Sequence, residues 1–145
     1  MMWLRKSKKG FTLIELMVVV AIIGVLALLG LRLYTGQQQK AKNAIVKANA
    51  GTIQTLIQAE LADETVATLA NKSYMDNIVN NAGIHNPFSG NPQTDSHYAT
   101  AEPVESSGTE GEIYVWYDAS DLVFHVNGWG AGPSKVYDND LTARK

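Results

Sequence analysis

The chain has 145 residues, enough for one modest domain, and no cysteine, so neither a disulfide framework nor a thiolate metal site is available. Its formal charge of −2 hides three zones: a basic start (Arg5, Lys6, Lys8, Lys9), a second basic stretch (Arg32, Lys40, Lys42, Lys47), and a region from Glu60 to Asp140 where 13 acids face only Lys72 and Lys135. Without the first four bases the balance is 8 basic to 14 acidic residues, a charge of −6 that favours solubility and gives no electrostatic reason to bind nucleic acid.

Phe11 to Leu31 is an apolar block of 21 residues whose single charge is Glu15. As a helix it would be roughly 31 Å long, enough to cross a bilayer's hydrocarbon core. Bases directly before such a block bias that end toward the cytoplasm, leaving the C-terminal part outside. The block exceeds the usual ~7–15-residue core of a secretory signal, and its far side, LALLGLRLYTGQQQK, has no A-x-A-like cleavage site, so retention of the span is expected.

The stretch KKGFTLIELMVVVAIIGVLA, Lys8 to Ala27, closely resembles the prepilin motif of type IV pilins and type II secretion pseudopilins. That resemblance implies removal of a leader, residues 1–10, by a membrane-embedded prepilin peptidase cutting between Gly10 and Phe11, with N-methylation of the new Phe11 amine. Glycine before the cut fits a backbone that must approach a catalytic site closely. It also implies a role for Glu15. A carboxylate within a span costs on the order of 2.5–3.5 kcal/mol, so an intramembrane acid points to a partner. The resemblance supplies the Phe11 amine of a neighbouring subunit; a Glu reaching the headgroups from the helix end is the plainer alternative.

One departure concerns the span itself, residues 11–32: the chain has Arg32 eight residues after Gly24, where the family usually has proline. Gly24 and Gly30 weaken a helix by roughly 1 kcal/mol each relative to alanine, but proline's lost backbone donor is missing. Arg32 can instead mark the outer headgroup boundary.

Beyond the span lies the expected exported head, residues 33–145. Ile45, Ala48, Thr52, Ile53, Leu56 and Ile57 recur at helical spacing, which extends one proline-free helix from Phe11 to about Ala62, with 33–62 its amphipathic half. The bases Arg32 to Lys47 read as a solvated face near anionic lipid or as a surface for neighbours' acids. Within 63–111, a shorter helical region is expected from Glu64 to Gly83, with Ser73 as N-cap ahead of Asp76 and Gly83 as its end. From Ile84 to Gly111 the chain is rich in Pro, Gly, Ser, Thr and Asn and reads as a long surface connection; the resemblance makes it a contact surface on a filament exterior.

Alternating residues from Glu112 to Tyr117 and from Leu122 to Val126 predict an antiparallel hairpin joined by DASD. Asn127-Gly128 reads as a turn toward a third strand near Lys135 to Tyr137, which bounds the sheet at 112–138. The fold class is α+β: a long N-terminal helix on a small antiparallel sheet, the type IV pilin fold by resemblance.

His85, His97 and His125 fall on different elements without ligand-like spacing, and there is no G-x-S-x-G elbow or Walker loop, so no enzymatic activity is expected. Asp118, Asp121, Asp138 and Asp140 are candidate oxygen ligands for calcium, with an ordinary acidic surface as the alternative; otherwise no cofactor is expected. AGPSKVYDND resembles the C-terminal calcium loop of major type II secretion pseudopilins, with Ser134 and Lys135 where that loop typically has an acid and a glycine. The resemblance implies a structural subunit of a helical homopolymer. Its partners would be the peptidase, an assembly platform protein, an assembly ATPase and, before assembly, membrane lipid. It would pass from the inner membrane, N-terminus in, to an extracellular pilus. A type II secretion pseudopilin and a DNA-uptake pilin are the alternative members.

Overall fold

The computed structural model describes residues 10–104 and 108–145; the expected leader's Arg5, Lys6, Lys8 and Lys9 lie outside the described residues. Three helices, α1 (Leu13–Asp63), α2 (Val66–Leu69) and α3 (Lys72–Asn81), precede three strands, β1 (Ile113–Asp118), β2 (Val123–Gly128) and β3 (Leu141–Ala143). The chain divides into two compact units, Met1–Gln37 and Gln38–Lys145, and α1 contributes residues to both.

In the first unit, α1 runs helical through Gly24, Gly30 and Arg32, and every residue from Gly10 to Gln37 is exposed. The apolar window long enough to cross a membrane lies here, with none of it buried.

In the second unit, Val46, Ala50, Ile53, Ile57 and Leu61 of α1 form the buried stripe. Their spacing of three and four residues keeps them on one side of the helix. The expected face was partly misplaced: Ile53 and Ile57 belong to it, but Ile45, Ala48 and Thr52 are exposed. Each lies one or two positions off the stripe, and one position turns a helical side chain by about 100°. The stripe meets Met75, Ile78 and Val79 of α3 and Ile113, Val115, Phe124, Val126 and Ala143 of the sheet in one core. At Gly128 the sheet approaches α1 closely, since a Cβ there would stand 2.4 Å from Cγ1 of Val46.

The helical region after α1 is two short helices. Thr65 caps α2, accepting from the Thr68 N–H, and Asn71 caps α3, accepting from the Ser73 N–H. Ser73 is therefore not the N-cap. Asp76, one turn in, accepts instead from the N–H and hydroxyl of Ser96, at 2.8 and 2.6 Å. Gly83 ends α3 with φ +63°, a left-handed position that glycine takes without strain.

The sheet order is β1-β2-β3, antiparallel throughout. Residues 119–122 join β1 to β2, so the hairpin is as expected but shifted by one residue, with Asp118 paired to Val123. Asn127 and Gly128 do not turn; they end β2 opposite Tyr114 and Ile113. The third strand is Leu141–Ala143, not 135–137: its three residues are too short for alternation to show, while Lys135 makes only an isolated bridge to Trp129. Buried Asn127 organises the intervening loop. Its amide donates to the Tyr137 carbonyl and to Asp140, and its carbonyl accepts from the N–H groups of Gly128 and Tyr137.

Both sheet edges are covered. The Ile84 to Gly111 stretch is not a free surface loop, because along the outer edge of β1 the Val115 N–H donates to the Ser96 carbonyl, the Ala99 N–H to the Val115 carbonyl and the Tyr117 N–H to the Ala99 carbonyl. Buried Gln93 acts as a surrogate peptide, accepting from and donating to Ile113 at 2.8 and 2.7 Å. On the β3 side, Gln54 donates to the Thr142 carbonyl, and Gln58 both donates to and accepts from Arg144. Paired or covered edges offer no template for pairing with another chain's strand.

Candidate assembly and processing site

Gly10 and Phe11 precede α1 and are exposed, Phe11 by 84%. The helix then opens on a reciprocal pair. Glu15 accepts from both the N–H and the hydroxyl of Thr12, at 2.8 and 2.9 Å, while the Glu15 N–H donates back to the Thr12 oxygen at 3.3 Å. This is a capping box, which satisfies first-turn N–H groups that have no intrahelical partner and sets a negative charge at the positive end of the helix. The Thr-x-x-Glu spacing signalled it in the sequence, yet the reading of Glu15 as an intermolecular partner passed over its local bond. Beyond it, a largely apolar surface from Leu16 to Tyr34, broken by Arg32, stays exposed in the single chain. Apolar patches of that extent mark surfaces that lipid or other chains cover.

The basic stretch is split in use. Lys42 lies 5.0 Å over the Phe88 ring and Lys47 5.2 Å over the Tyr137 ring. Arg32 and Lys40 have no ion pair or ring contact among the described residues and remain exposed.

The four candidate calcium ligands do not converge. Asp118 closes the β1–β2 turn by accepting from the N–H and hydroxyl of Ser120, which hold its carboxyl below the usual carboxylate range; Asp121 is exposed on the same turn. Asp138 and Asp140 line a recess of about 350 Å³ with Glu102, Trp116, His125 and Lys135. Asp140 is held there by donors: Trp116 Nε1 to Oδ2 at 2.7 Å and Asn127 Nδ2 to Oδ1 at 2.7 Å. Among the described residues no group of three or more His, Asp or Glu side chains is placed to hold a metal ion.

The histidines also stay apart. His85 bonds the Gly83 carbonyl, His97 contacts Glu112 at 2.6 Å, and His125 stacks on Trp116 with ring centroids 4.0 Å apart. The stripe of sheet aromatics is therefore packing, as Tyr114 against Trp129 and Tyr117 against Phe124 also are.

The family described as the prokaryotic N-terminal methylation motif matches residues 5–31. Fimbrial protein EcpB of Eikenella corrodens is 40% identical over 76 residues, 52% of this chain and 46% of that protein. The type IV major alpha-pilin of Moraxella bovis is 37% identical over 67 residues, covering 46% and 42%, and a probable minor fimbrial protein of Dichelobacter nodosus is 35% identical over 88 residues, covering 61% and 55%. The chain thus spans about half the length of the curated relatives it matches, and no solved structure gives a significant match. The motif at residues 5–31, these fimbrial relatives, and a long apolar helix on a three-stranded antiparallel sheet make the chain similar to type IV pilins.

Proposed function

We propose that the chain is a structural subunit of a type IV pilus filament, held together by packing of its N-terminal helices, and that it carries out no chemistry of its own. The observation that carries this reading is the largely apolar surface from Leu16 to Tyr34, exposed along its whole length and opened by the Thr12–Glu15 box immediately after Gly10 and Phe11. In this reading, 1–10 is a leader released by hydrolysis of the Gly10–Phe11 peptide bond on the cytoplasmic face, and the freed Phe11 amine is methylated. Residues 11–32 anchor the precursor in the inner membrane and then form the filament interior, while 33–145 is the exported head. Peptidase, assembly platform and ATPase are the partners.

On assembly the Glu15 carboxylate exchanges its own Thr12 donors for the Phe11 amine of a neighbouring subunit. Such pairing in a low-dielectric interior favours the one stagger that satisfies both charges. The test is intact-mass spectrometry of sheared surface fibres together with two variants. Fibres should consist of a subunit that begins at N-methylated Phe11. Glu15→Ala should strongly reduce fibre yield, whereas Thr12→Ala, which removes only the local cap, should leave fibres forming. An exported form that starts downstream of residue 31, or normal fibres from Glu15→Ala, would overturn the reading.

A further inference from the structure

Calcium is the ion that the resemblance of residues 131–140 would suggest, and the side chains present do not fit it. Calcium takes six to eight oxygen ligands and no cationic neighbour. In the recess, the Lys135 ammonium bonds Glu102 and lies 3.6 Å from Asp140 Oδ1. The Lys135 side chain is 14% exposed and that of Asp140 is 6%, so these charges are shielded rather than solvated. The backbone aims the lysine there from both sides: Gly130 N–H donates to the Ser134 carbonyl at 2.8 Å, and Val136 N–H donates to Gly128 at 3.0 Å.

We propose that Lys135 is the built-in cation of the C-terminal loop, so that the loop closes on the chain's own ammonium where a divalent ion would otherwise be required. Three separate segments meet at this one charge: Glu102 from the stretch that covers β1, Asp140 at the start of β3, and the loop after β2. Asp140 also accepts from Trp116 of β1 and Asn127 of β2, so the ammonium completes a set of donors around a carboxylate that would be costly to bury unpaired. Burial pulls the Lys135 ammonium down, but the bond to Glu102 and the charge of Asp140 outweigh it, and its pKa stands above the ordinary lysine value.

The test uses the full chain in detergent micelles, with thermal unfolding followed in calcium chloride, in EDTA, and in sodium chloride of equal ionic strength. The wild-type melting temperature should be the same in all three. Lys135→Ala, which removes the charge and vacates its space, should melt about 3–5 °C lower, the shift of a ~1 kcal/mol loss in a domain of this size, and calcium should restore part of that shift. Stabilisation of the wild type by calcium would overturn the proposal, as would a Lys135→Ala variant that melts like the wild type. A lowered variant blind to calcium would overturn it too, since the lysine would then hold the loop by packing alone. Should the alanine variant not fold, Lys135→Gln is run in the same way, and the wild-type arm stands without either.

Discussion

Gly128 lies where the sheet comes close to Val46 of α1, and its lack of a side chain is what lets Val46 seat. A Cβ at this position would stand 2.4 Å from Val46 Cγ1 and 3.2 Å from the Glu112 carbonyl oxygen, and the second of these is backbone that cannot swing away. Gly128→Ala should therefore destabilise the head by about 1–3 kcal/mol, the range of overpacked cores, measured by chemical denaturation of the protein in detergent. Nothing adjacent in the sequence discloses this need, and Asn127-Gly128 carries the ordinary signature of a tight turn. The pair is instead strand, because the Asn127 amide finds Tyr137 and Asp140, 10 and 13 residues ahead. Thr12 and Glu15 are the opposite case: their capping box is written in four consecutive residues. Lys135 lies between, since its departure from the calcium loop shows in the sequence but its partner Glu102, 33 residues earlier, does not.

At the level of elements, α1 does more than supply a hydrophobic stripe. Gln54 and Gln58 present amides that take the place of a fourth strand along β3, bonding Thr142 and Arg144 at 2.8 to 3.2 Å. Replacing both with alanine removes three hydrogen bonds and should cost about 1.5–4.5 kcal/mol, at roughly 0.5–1.5 kcal/mol per net bond, and should speed amide exchange in residues 141–143 before it affects β1. The long helix and the β1–β2 hairpin were legible because period and alternation are local, and each runs for several residues. The edge protection was not. A polar stretch such as 84–111 carries no periodicity, so its pairing with β1 and the burial of Asn86, Gln93 and Ser96 arise only when the sheet is assembled. β3, three residues long, falls below the length at which alternation means anything.

For the molecule as a whole, the ion pairs of the head give its stability a pH dependence of definite sign. The Lys72 ammonium beside Asp95 holds that carboxyl below the usual range. Burial raises Asp76, but the bonds from Ser96 and Lys72 outweigh it and leave it lowered as well. Groups with depressed folded values contribute stability above their ordinary value of ~3.9 and lose it as pH falls through the folded value. Melting should therefore be level between about pH 5 and 7 and decline below ~4, with a shallower decline in Asp76→Asn. Because Lys72 joins Asp76 of α3 to Asp95 of the stretch covering β1, that segment should be the first to loosen in acid, an order that hydrogen exchange at pH 3 against pH 5 can check.

The first water-shielded side chain along α1 is Val46, nine residues past the end of the first unit. Oiliness and internal order are therefore stored in consecutive lengths of the same helical sequence. A recombinant piece that begins at Gln38 would discard the greasy length entire and keep every shielded residue from Val46 onward. Such a piece should stay monodisperse in water without detergent, which size-exclusion chromatography can check.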